Sequence, residues 1–398
     1  MLVDSADNMD CSQNPCDVYY FGYYAKPTLC PSRHAFPSAV SKMDYIVSCF
    51  ERLGFRTLLI SGSPVARGKQ EGGARLPLSR NTDCMLLRSP GRRCKLSLPV
   101  QKVLGKAYTL FGLVRHVPRD ATLVVYHSLA YSTIIRLAKK LRGFKLVLEV
   151  EELYSDVTGK VADLKRERRA FVAADAFIFS TNMLADRVEL GERPYVVCSG
   201  IYQPTKIVAE KRDDGIIHVV YAGTLDPRKG GAAAAAAAGA LLDAGYAMHI
   251  LGRGNEFEVA EIEDAVNKAN ACSRGCKITY DGLILGREFN EFVQSCHIGL
   301  SPQNPASDFN ASSFPSKVFM YLSNGLKVVS VDLPVFEGDL RKALTLCHTN
   351  ASEDLARAIH AAAVRGEDSA IDLLERLDKG FMEDLSRLFA LMRDGGAR

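Results

Sequence analysis

The stretch FPSKVFMYLSNG at residues 314–325, followed by KVVS at residues 327–330, decides the fold of this chain. Pro315 suits the first turn of a helix, because its missing N–H would have no intrahelical partner there. Gly325 is a typical helix stop, since glycine adopts the left-handed conformation at low cost. The apolar residues after it predict a buried strand. The stretch therefore predicts a short helix and a strand of an α/β domain.

The start of this helix has the features of an anion site. Ser313 or Ser316 can cap the helix. The free N–H groups of its first turn, the positive end of its dipole and the Lys317 side chain point the same way. An ordinary amphipathic helix of an α/β domain has the same pattern, so the stretch alone leaves both interpretations open.

A second stretch, IHVVYAGTLDPRKG at residues 217–230, favours the anion site. It predicts a buried strand, a glycine turn and a basic entry into the next helix. The alanine run from Ala232 to Ala238 makes that helix narrow enough to pack close to a sheet.

Together the two stretches resemble the nucleotide-binding half of the retaining family 4 glycosyltransferases. Those enzymes carry a strand, a glycine and a basic turn with Lys-Gly, and later a Phe-Pro-Ser-Lys-Val-Phe-Glu-Tyr-Leu helix before a Gly-x-Pro-Val-Val strand. The resemblance continues through HILGRG at residues 249–254 and ITYDGL at residues 278–283, so it spans residues 215–340. It implies the GT-B fold, an α/β architecture of two Rossmann-like, doubly wound parallel-sheet domains that face a cleft.

Strands alternate with helices along the chain, which predicts parallel sheets covered on both faces. The polar segment Gly200–Asp214 predicts a linker. We therefore expect an acceptor-side domain at residues 1–205, a nucleotide-sugar-binding domain at residues 206–370 and a C-terminal helix at residues 371–398, which the resemblance implies returns to the first domain.

Residues 61–96 predict a loop and a hairpin. The predicted strands are 18–21, 57–60, 123–126, 145–150, 176–179, 216–222, 246–251, 277–280, 298–301 and 327–330, and the predicted helices are 39–53, 98–117, 129–141, 161–173, 230–243, 256–270, 287–296, 315–324, 355–364 and 371–392.

Composition bounds the class of protein. The chain has 398 residues, 47% hydrophobic and 24% charged, which is typical of a soluble protein of two domains. The acidic, polar segment Met1–Asp17 is unlike a signal peptide, so we expect a cytoplasmic protein. Its 11 cysteines lack the spacing of a zinc site, which predicts free thiols and no metal.

The charge is unevenly distributed. Residues 61–119 contain many basic side chains but only two acidic ones, Glu71 and Asp83. This predicts a surface that docks on an anionic membrane, at the inner face of the plasma membrane, or on an acceptor with phosphates. No aromatic platform accompanies the charge, so nucleic acid is not expected as a partner. The basic residues are Arg67, Lys69, Arg75, Arg80, Arg88, Arg92, Arg93, Lys95, Lys102, Lys106, Arg115 and Arg119.

Ligands of doubly wound sheets bind beyond the carboxyl ends of the strands. By resemblance, Gly223, Thr224, Arg228 and Lys229 follow such a strand, and the basic residues among them neutralise the leaving nucleoside diphosphate. Lys229 matches the family lysine and is the expected main contact. Thr224 stands where family members often have arginine.

Two further turns complete the expected donor site. The resemblance implies that Gly252 and Arg253 lie near the sugar nucleotide. It also implies that Gly282 and Leu283 belong to a loop whose backbone reads the base.

The predicted helix departs from the family at two positions. The family has two glutamates eight positions apart, the second of which holds the ribose hydroxyls. This chain has Ser312 and Met320 there, so both carboxylates are absent. Ser312, Ser313 and Asn310 can replace them in part, whereas a thioether cannot accept these hydrogen bonds.

The first domain also resembles a subgroup of bacterial polysaccharide glycosyltransferases, through LVVYHSL at residues 123–129 and LVLEVEELYSD at residues 146–156. Glu151 and Glu152 are expected to bind donor sugar hydroxyls or to orient the acceptor, and His127 to do either or to cap a strand end. Glu149 lies inside a buried strand and is therefore expected to have a polar partner.

The loop after the first strand contains Tyr24, Lys26 and Arg33. In family members this loop faces the acceptor, so these three residues are the predicted acceptor-side contacts.

The leading hypothesis is a hexosyltransferase that moves a sugar from a nucleotide-diphosphate donor, its co-substrate, to a lipid-linked glycan acceptor in bacterial surface polysaccharide synthesis. The resemblance implies retention of configuration without a metal or other cofactor, because side-chain cations and helix dipoles stabilise the departing diphosphate.

Two alternatives stay open. One is a degenerate, non-catalytic GT-B binding protein, and the other is a sugar-nucleotide epimerase. A nicotinamide-dependent oxidoreductase is disfavoured, because no Gly-x-Gly-x-x-Gly follows the first strand.

Overall fold

The computed structural model describes residues 16–26, 28–65, 71–91, 98–226, 231–305, 313–366 and 370–394. Strands and helices alternate along this part of the chain. The elements up to residue 197 are β1 (Val18–Gly22), α1 (Pro37–Arg52), β2 (Thr57–Ser61), β3 (Ala74–Pro77), β4 (Thr82–Leu86), α2 (Leu98–His116), β5 (Thr122–Tyr126), α3 (Ser132–Arg142), β6 (Lys145–Val150), α4 (Tyr154–Thr158), α5 (Val161–Ala173), β7 (Ala176–Phe179), α6 (Asn182–Asp186) and β8 (Tyr195–Val197).

The remaining elements follow a long irregular segment. They are β9 (Ile217–Thr224), α7 (Gly231–Gly239), β10 (Tyr246–Arg253), α8 (Glu256–Ala271), β11 (Lys277–Gly282), α9 (Gly286–Gln294), β12 (Ile298–Ser301), α10 (Lys317–Ser323), β13 (Lys327–Val331), α11 (Gly338–Ala343), β14 (Thr345–Cys347), α12 (Ser352–Val364) and α13 (Ala370–Asp394).

The strands form two sheets. The first has the order β3-β4-β2-β1-β5-β6-β7-β8, and the second has the order β11-β10-β9-β12-β13-β14. All paired strands of the second sheet are parallel. In the first sheet β3 is antiparallel to β4, which confirms the hairpin predicted within residues 61–96, and β4 also pairs in parallel with β2. The predicted α/β class with two parallel sheets is therefore confirmed.

The chain divides into two compact units. One comprises Met1–Glu149, Val172–Ala176 and Ala390–Arg398, and the other comprises Val150–Phe171 and Phe177–Phe389. The end of α13 belongs to the first unit, where Lys145 donates a hydrogen bond to the carbonyl of Met392. In the same unit the Arg393 guanidinium lies 4.9 Å from the centroid of the Phe55 ring.

The alanine-rich helix α7 packs closely on the second sheet, as the sequence predicts. Ala235 and Ala236 are fully buried. A Cβ atom on Gly239 would lie 2.9 Å from Cγ1 of Ile278, which leaves no room for a side chain. The helix ends at Gly239, so the predicted extension to residue 243 is wrong. Residues 240–242 instead form tight turns, in which the N–H groups of Leu241 and Leu242 donate to the carbonyls of Ala238 and Gly239, three residues earlier.

The glycine stop after α10 is confirmed. Gly325 has φ 72°, and its N–H donates to the carbonyl of Leu322 at 3.0 Å. The N–H of Leu326 donates to the carbonyl of Tyr321 at 3.0 Å. These two bonds form a Schellman motif, which satisfies carbonyls that the end of a helix leaves without intrahelical partners.

The nine described cysteines are all free thiols. Among the described residues, no helix is long and apolar enough to cross a membrane.

Candidate functional site

The reversal of strand order in the second sheet lies between β9 and β12. From these two neighbours the chain proceeds in opposite directions, to β10 and β11 on one side and to β13 and β14 on the other. In such sheets ligands bind outside the carboxyl ends of the strands at this reversal. β9 ends with Gly223 and Thr224. Two predicted donor residues therefore lie at the position where sheets of this kind bind ligands.

Lys317 reaches this edge from the first position of α10. A Cβ atom on Gly223 would lie 2.3 Å from Cε of Lys317 and 2.8 Å from its Nζ. Nζ also lies 5.2 Å from the centroid of the Tyr221 ring, a cation–π arrangement. The two stretches that decide the fold thus meet, and they place a half-buried ammonium group at the end of β9. A cation fixed there can neutralise a phosphate.

The start of α10 differs from the prediction. The helix begins at Lys317, and Ser316 makes no side-chain capping hydrogen bond. Pro315 lies in the preceding turn, where its carbonyl accepts a hydrogen bond from the N–H of Val318 at 2.9 Å. Because α10 has only 7 residues, the Lys317 side chain supplies more charge at this edge than the helix dipole does.

Tyr321, which the sequence analysis did not identify, fixes α10 on the sheet. Its buried hydroxyl accepts a hydrogen bond from the N–H of Ala222 at 2.8 Å and donates to the carbonyl of Leu300 at 3.3 Å. The ring covers Gly299, where a Cβ atom would lie 2.2 Å from Cγ of Tyr321. These contacts position Lys317 one turn earlier. A glycine inside an apolar strand, followed by a tyrosine in an apolar helix, is the sequence signal that could have found this contact.

Gly252 and Arg253 lie beside the end of β9, as the resemblance implies. In the register of β9 and β10, Gly252 pairs with Gly223 and Arg253 pairs with Thr224. A Cβ atom on Gly252 would lie 2.1 Å from the carbonyl oxygen of Gly223, so only glycine fits. The side chains of Thr224 and Arg253 are both exposed. This edge therefore has a hydroxyl and a guanidinium that a ligand can reach.

The N-terminus of α8 follows Arg253 but is already capped by its own side chains. Asn255 accepts hydrogen bonds from the N–H groups of Phe257 and Glu258 at 3.0 and 3.1 Å, and Glu258 accepts one from the N–H of Asn255 at 2.7 Å. This capping box satisfies donors that an anion would otherwise bind. The positive charge beside β10 is thus the Arg253 side chain.

The end of β11 also lies at this edge. Gly282 has φ 75°, a backbone conformation that glycine adopts at no steric cost. Leu283 after it is 52% exposed. Tyr280 donates a hydrogen bond to the carbonyl of Gly252 at 3.2 Å, which ties the ends of β10 and β11 together.

Met320 is half-buried on α10. Its carbonyl accepts hydrogen bonds from Oγ of Ser323 at 3.0 Å and from Nδ2 of Asn324 at 2.8 Å. Its side chain has no oxygen, so it cannot accept a hydrogen bond from a ribose. Ser313 is half-buried shortly before α10. The predicted donor residues Arg228, Lys229 and Ser312, and Asn310 with them, lie outside the described residues.

The first sheet has its own reversal of strand order, between β1 and β5. His127 follows β5, is buried, and donates from its backbone N–H to the carbonyl of Glu149 at 2.8 Å. The loops after these two strands touch, because the rings of Tyr23 and Tyr131 have centroids 5.0 Å apart. His127 therefore lies at the carboxyl edge of this sheet, beside its strand-order reversal.

The buried carboxylate of Glu149 has the expected partner, since it accepts a hydrogen bond from the Tyr20 hydroxyl. Glu151 and Glu152 follow β6 and are half-buried. Oγ of Ser180 donates to the carbonyl of Glu151 at 2.8 Å, which holds the backbone of this turn.

The three predicted acceptor-side residues have different environments. The Tyr24 hydroxyl donates to Oδ1 of Asp44 at 2.7 Å, and Lys26 forms an ion pair with the same carboxylate at 2.9 Å. Burial, followed by this hydrogen bond, raises the pKa of Tyr24. Arg33 is fully buried and pairs with Glu71 at 2.7 Å. Lys26 is thus the residue of the three whose charged group solvent can reach.

The Arg33 guanidinium also donates to two backbone carbonyls, those of Ser63 at 3.0 Å and Leu87 at 2.7 Å. A charge buried in this way is stable because its hydrogen bonds are satisfied. The side chain ties three loops together, which is the arrangement of a positioning residue.

A cavity of about 290 Å³ lies within the second unit. None of the predicted donor residues that the structure describes lines it, although Phe319, beside Met320, does. Gly223, Thr224, Gly252 and Arg253 lie instead at the carboxyl ends of β9 and β10. The cavity is lined by Thr181, Asn182, Met183, Val197, Ser199, Tyr202, Phe319, Val335, Glu337, Leu340, Arg376, Leu377, Gly380, Phe381 and Asp384.

Comparison with known proteins gives matches among solved structures. No protein-family model matches the chain, and no curated protein matches it in sequence. It is similar to trehalose-6-phosphate synthase OtsA, with 11% identity, a TM-score of 0.64 and coverage of 96% of this chain and 98% of that one. It is also similar to Anabaena Alr3699/HepE in complex with UDP and glucose, with 11% identity, a TM-score of 0.61 and coverage of 96% and 98%.

A third similar structure is AviGT4, a glycosyltransferase involved in avilamycin A biosynthesis, with 14% identity, a TM-score of 0.60 and coverage of 96% and 99%. At identities this low, the similarity shows the fold alone. The match extends over nearly the full length of each chain, and the two parallel sheets agree with it. The protein therefore has the GT-B fold.

Proposed function

We propose that this protein is a glycosyltransferase that moves a sugar from a nucleotide-diphosphate donor to a glycan acceptor. The observation that carries the proposal is the Lys317 ammonium group against Gly223, at the strand-order reversal of the second sheet. When the bond from the sugar to the diphosphate breaks, negative charge grows on the departing phosphate. A cation already fixed at that place stabilises the transition state without reorganisation.

The surroundings of Lys317 suit the rest of a donor. Thr224 and Arg253 are exposed beside it, and the resemblance adds Arg228 and Lys229 as diphosphate contacts. Gly282 and the exposed Leu283 offer backbone and apolar surface for a base. The similar HepE structure is a complex with UDP and glucose, which supports a nucleotide sugar as the donor.

The acceptor is proposed to be a glycan linked to a lipid through phosphate, in bacterial surface polysaccharide synthesis. The basic composition of residues 61–119 supports an anionic acceptor. A similar trehalose-phosphate synthase structure is a complex with glucose-6-phosphate, which also supports an acceptor with a phosphate. We propose that His127, Glu151 and Glu152 bind the reacting sugars, and that transfer retains configuration without a metal.

A non-catalytic GT-B binding protein is the second candidate. It is favoured by Met320, whose side chain offers no acceptor for the ribose hydroxyls. The two functions differ in one observable, which is the acceptor-dependent release of nucleoside diphosphate.

The test measures release of nucleoside diphosphate from a panel of nucleotide sugars, with and without a lipid-linked glycan fraction, using Lys317→Met and Lys277→Met. Lys277 is an exposed lysine at the opposite, amino end of β11 and is the matched control. We expect one donor of the panel to release nucleoside diphosphate. This release should require the acceptor and should be unaffected by EDTA. Lys317→Met should lower kcat by about 10²-fold, the usual effect of removing one charge-stabilising group, and Lys277→Met should leave it unchanged.

Two results would contradict the proposal. Absence of release from every donor would favour the non-catalytic binding protein. Conversion of a donor to its epimer without acceptor would favour an epimerase.

A further inference from the structure

We propose that Tyr221 is a positioning residue whose ring holds the Lys317 ammonium group in place at the end of β9. The inference rests on the proposed function, because the position of Lys317 matters for transfer only if a diphosphate binds there. The resemblance assigns no role to this tyrosine. Three contacts of its buried side chain carry the inference.

The first contact is with Lys317 itself. Its Nζ lies over the Tyr221 ring, 5.2 Å from the centroid. The tyrosine is 1% exposed, and a cation–π attraction is strongest where water is excluded. The ring holds the cation through its quadrupole and does not neutralise it, as a carboxylate would. The positive charge of the ammonium group can therefore act on a phosphate.

The second contact fixes the ring against the end of β9. The Tyr221 hydroxyl donates a hydrogen bond to the carbonyl of Thr224 at 3.0 Å. Burial raises the pKa of Tyr221, so the hydroxyl keeps its proton and remains a donor at neutral pH. A Cβ atom on Gly223 would lie 3.0 Å from this hydroxyl oxygen and 2.3 Å from Cε of Lys317. The lysine side chain therefore passes over a glycine to reach the ring.

The third contact is with the start of α7. A Cβ atom on Gly231, the first residue of that helix, would lie 2.8 Å from Cε2 of Tyr221 and 3.0 Å from its hydroxyl oxygen. The helix start is thus packed directly on the ring. One side chain contacts the end of β9, the start of α7 and the lysine of α10, and a smaller side chain would lose the contact with the cation.

Filling the core is the other role that this side chain could have, because Tyr221 also packs among the apolar residues of the second unit. Loss of a core residue lowers stability whether or not Lys317 is present. Loss of a positioning residue has its effect through Lys317. The tests therefore ask whether the effect of Tyr221 depends on that lysine.

The first test is NMR of the ligand-free full chain after reductive ¹³C-methylation of its lysines, which keeps their positive charge. The signal absent from Lys317→Met belongs to Lys317. We expect the ring current to shift this signal upfield in the wild type and in Tyr221→Phe, which keeps a ring. In Tyr221→Leu the signal should move to the position of exposed lysines. Tyr246→Leu removes a buried tyrosine at the first position of β10 and is the matched control, which should leave the Lys317 signal unchanged.

The second test is a double-mutant cycle on kcat of transfer. Tyr221→Leu should lower kcat about tenfold, in keeping with a desolvated cation–π contact, and Tyr221→Phe should lower it less than about threefold. In the Lys317→Met background, Tyr221→Leu should have almost no further effect, because residues that act through each other are not additive. Circular dichroism and the melting temperature would establish that each variant is folded.

A Lys317 signal at the same position in the wild type and in Tyr221→Leu would overturn the inference. Additive losses of kcat in the cycle would also overturn it and would leave Tyr221 as a core residue. Because the NMR test uses neither donor nor acceptor, its result is separate from the question of transfer. An upfield Lys317 signal that depends on the ring, without transfer from any donor, would support the positioning by Tyr221 and contradict the proposed function alone.

Discussion

Met320 is a thioether on α10, the helix whose first residue reaches the carboxyl edge of the second sheet, at a position where the resemblance expects a carboxylate. The residue is half-buried, and its backbone carbonyl is held by Ser323 and Asn324. A donor bound at this edge would leave its ribose hydroxyls without that acceptor. The position thus tests whether the site still has the geometry of a nucleotide site.

We expect Met320→Glu to tighten the binding of the preferred nucleoside diphosphate by about 10- to 100-fold, because a hydrogen bond to a carboxylate contributes roughly 1.5–3 kcal/mol. Titration calorimetry would measure it. The 2′,3′-dideoxy form of the same ligand is the control and should show no gain. Equal affinities of both proteins for the normal ligand would show that this side chain does not face a ribose.

Single residues were only partly predictable from the sequence. Tyr24, Lys26 and Arg33 were predicted together as acceptor-side contacts from one loop. The structure separates them, because the partners that bury Arg33 lie 30 or more positions away in the chain. Their roles in acceptor binding stay predictions.

At the scale of elements, the contact between β12 and α10 holds the candidate site together. Gly299 leaves the space that the Tyr321 ring fills, and the Tyr321 hydroxyl joins α10 to β9 and β12. The position of Lys317 therefore depends on a glycine that does not touch the ligand-binding edge.

We expect Gly299→Ala to destabilise the protein by about 1–3 kcal/mol, the usual cost of overpacking a buried site, and to weaken nucleotide binding. Gly105→Ala is the matched control, since a Cβ atom there meets nothing within 4 Å. Because alanine is the better helix former, the control should be neutral or slightly stabilising. Thermal unfolding would measure both. A Gly299→Ala variant as stable as the control would refute the packing argument.

A second element-scale feature is a cluster of histidines on one face of the second sheet. The Arg212 guanidinium lies 2.9 Å from Nδ1 of His218 and 3.1 Å from Nε2 of His249. The remaining nitrogens of these rings face Asp214 at 3.0 Å and Asp281 at 3.2 Å. A neutral His218 that donates from Nε2 to Asp214 and accepts at Nδ1 from Arg212 satisfies its contacts with both groups. The surrounding groups are His297, Lys211, Thr279 and Phe292.

Protonation of His218 and His297 should destabilise the fold. Burial is the main cause that lowers the pKa of His218, opposed by Asp214, and burial with the nearby Lys211 lowers the pKa of His297. A histidine with a lowered folded pKa contributes its full stability above about pH 6.5 and loses it as the pH falls below that value. We expect the melting temperature to fall by about 2–4 °C between pH 7.5 and 5.5.

The pH dependence should become shallower in His218→Gln/His297→Gln and stay unchanged in His34→Gln, whose side chain is exposed. Burial acts to raise the pKa of Asp281, but hydrogen bonds from His249 and Thr279 lower it overall. Hydrogen bonds also lower the pKa of Asp214. Their contributions are therefore lost only below about pH 4. Identical slopes in all three proteins would exclude the cluster as the source of acid sensitivity.

The elements themselves were largely predictable from apolar patterning. The strands 145–150, 176–179 and 298–301 and the helix 161–173 have the predicted bounds. The short elements α4, α6, β8, α11 and β14 were missed, because three to six residues contain too little periodicity to predict. The helix predicted from residue 129 begins at Ser132, since the preceding residues form a turn closed by the Tyr131 hydroxyl on the carbonyl of Tyr126.

At the scale of the whole molecule, the fold was predictable because two motifs fall at the strand-order reversal of one sheet. The order β11-β10-β9-β12-β13-β14 puts Gly223 and Lys317 together, although they are far apart in the sequence. The proposed acceptor was not predictable in the same way, because loops that vary independently of the sheets would have to recognise it. Similarity to solved structures at 9–14% identity supports the fold of the chain but does not identify its substrates.

The measurement that tests the central claim most directly is a thermal-shift panel of UDP, GDP, ADP, CMP and their common sugar conjugates on wild-type, Lys317→Met and Lys277→Met proteins. A ligand at about 100 times its Kd adds roughly 2.7 kcal/mol, which is several degrees for units of this size. The account predicts selective stabilisation of the wild type and of Lys277→Met by one nucleoside diphosphate, and a much smaller shift for Lys317→Met. No shift of the wild type with any ligand, or an equal shift of all three proteins, would contradict a donor site at the end of β9.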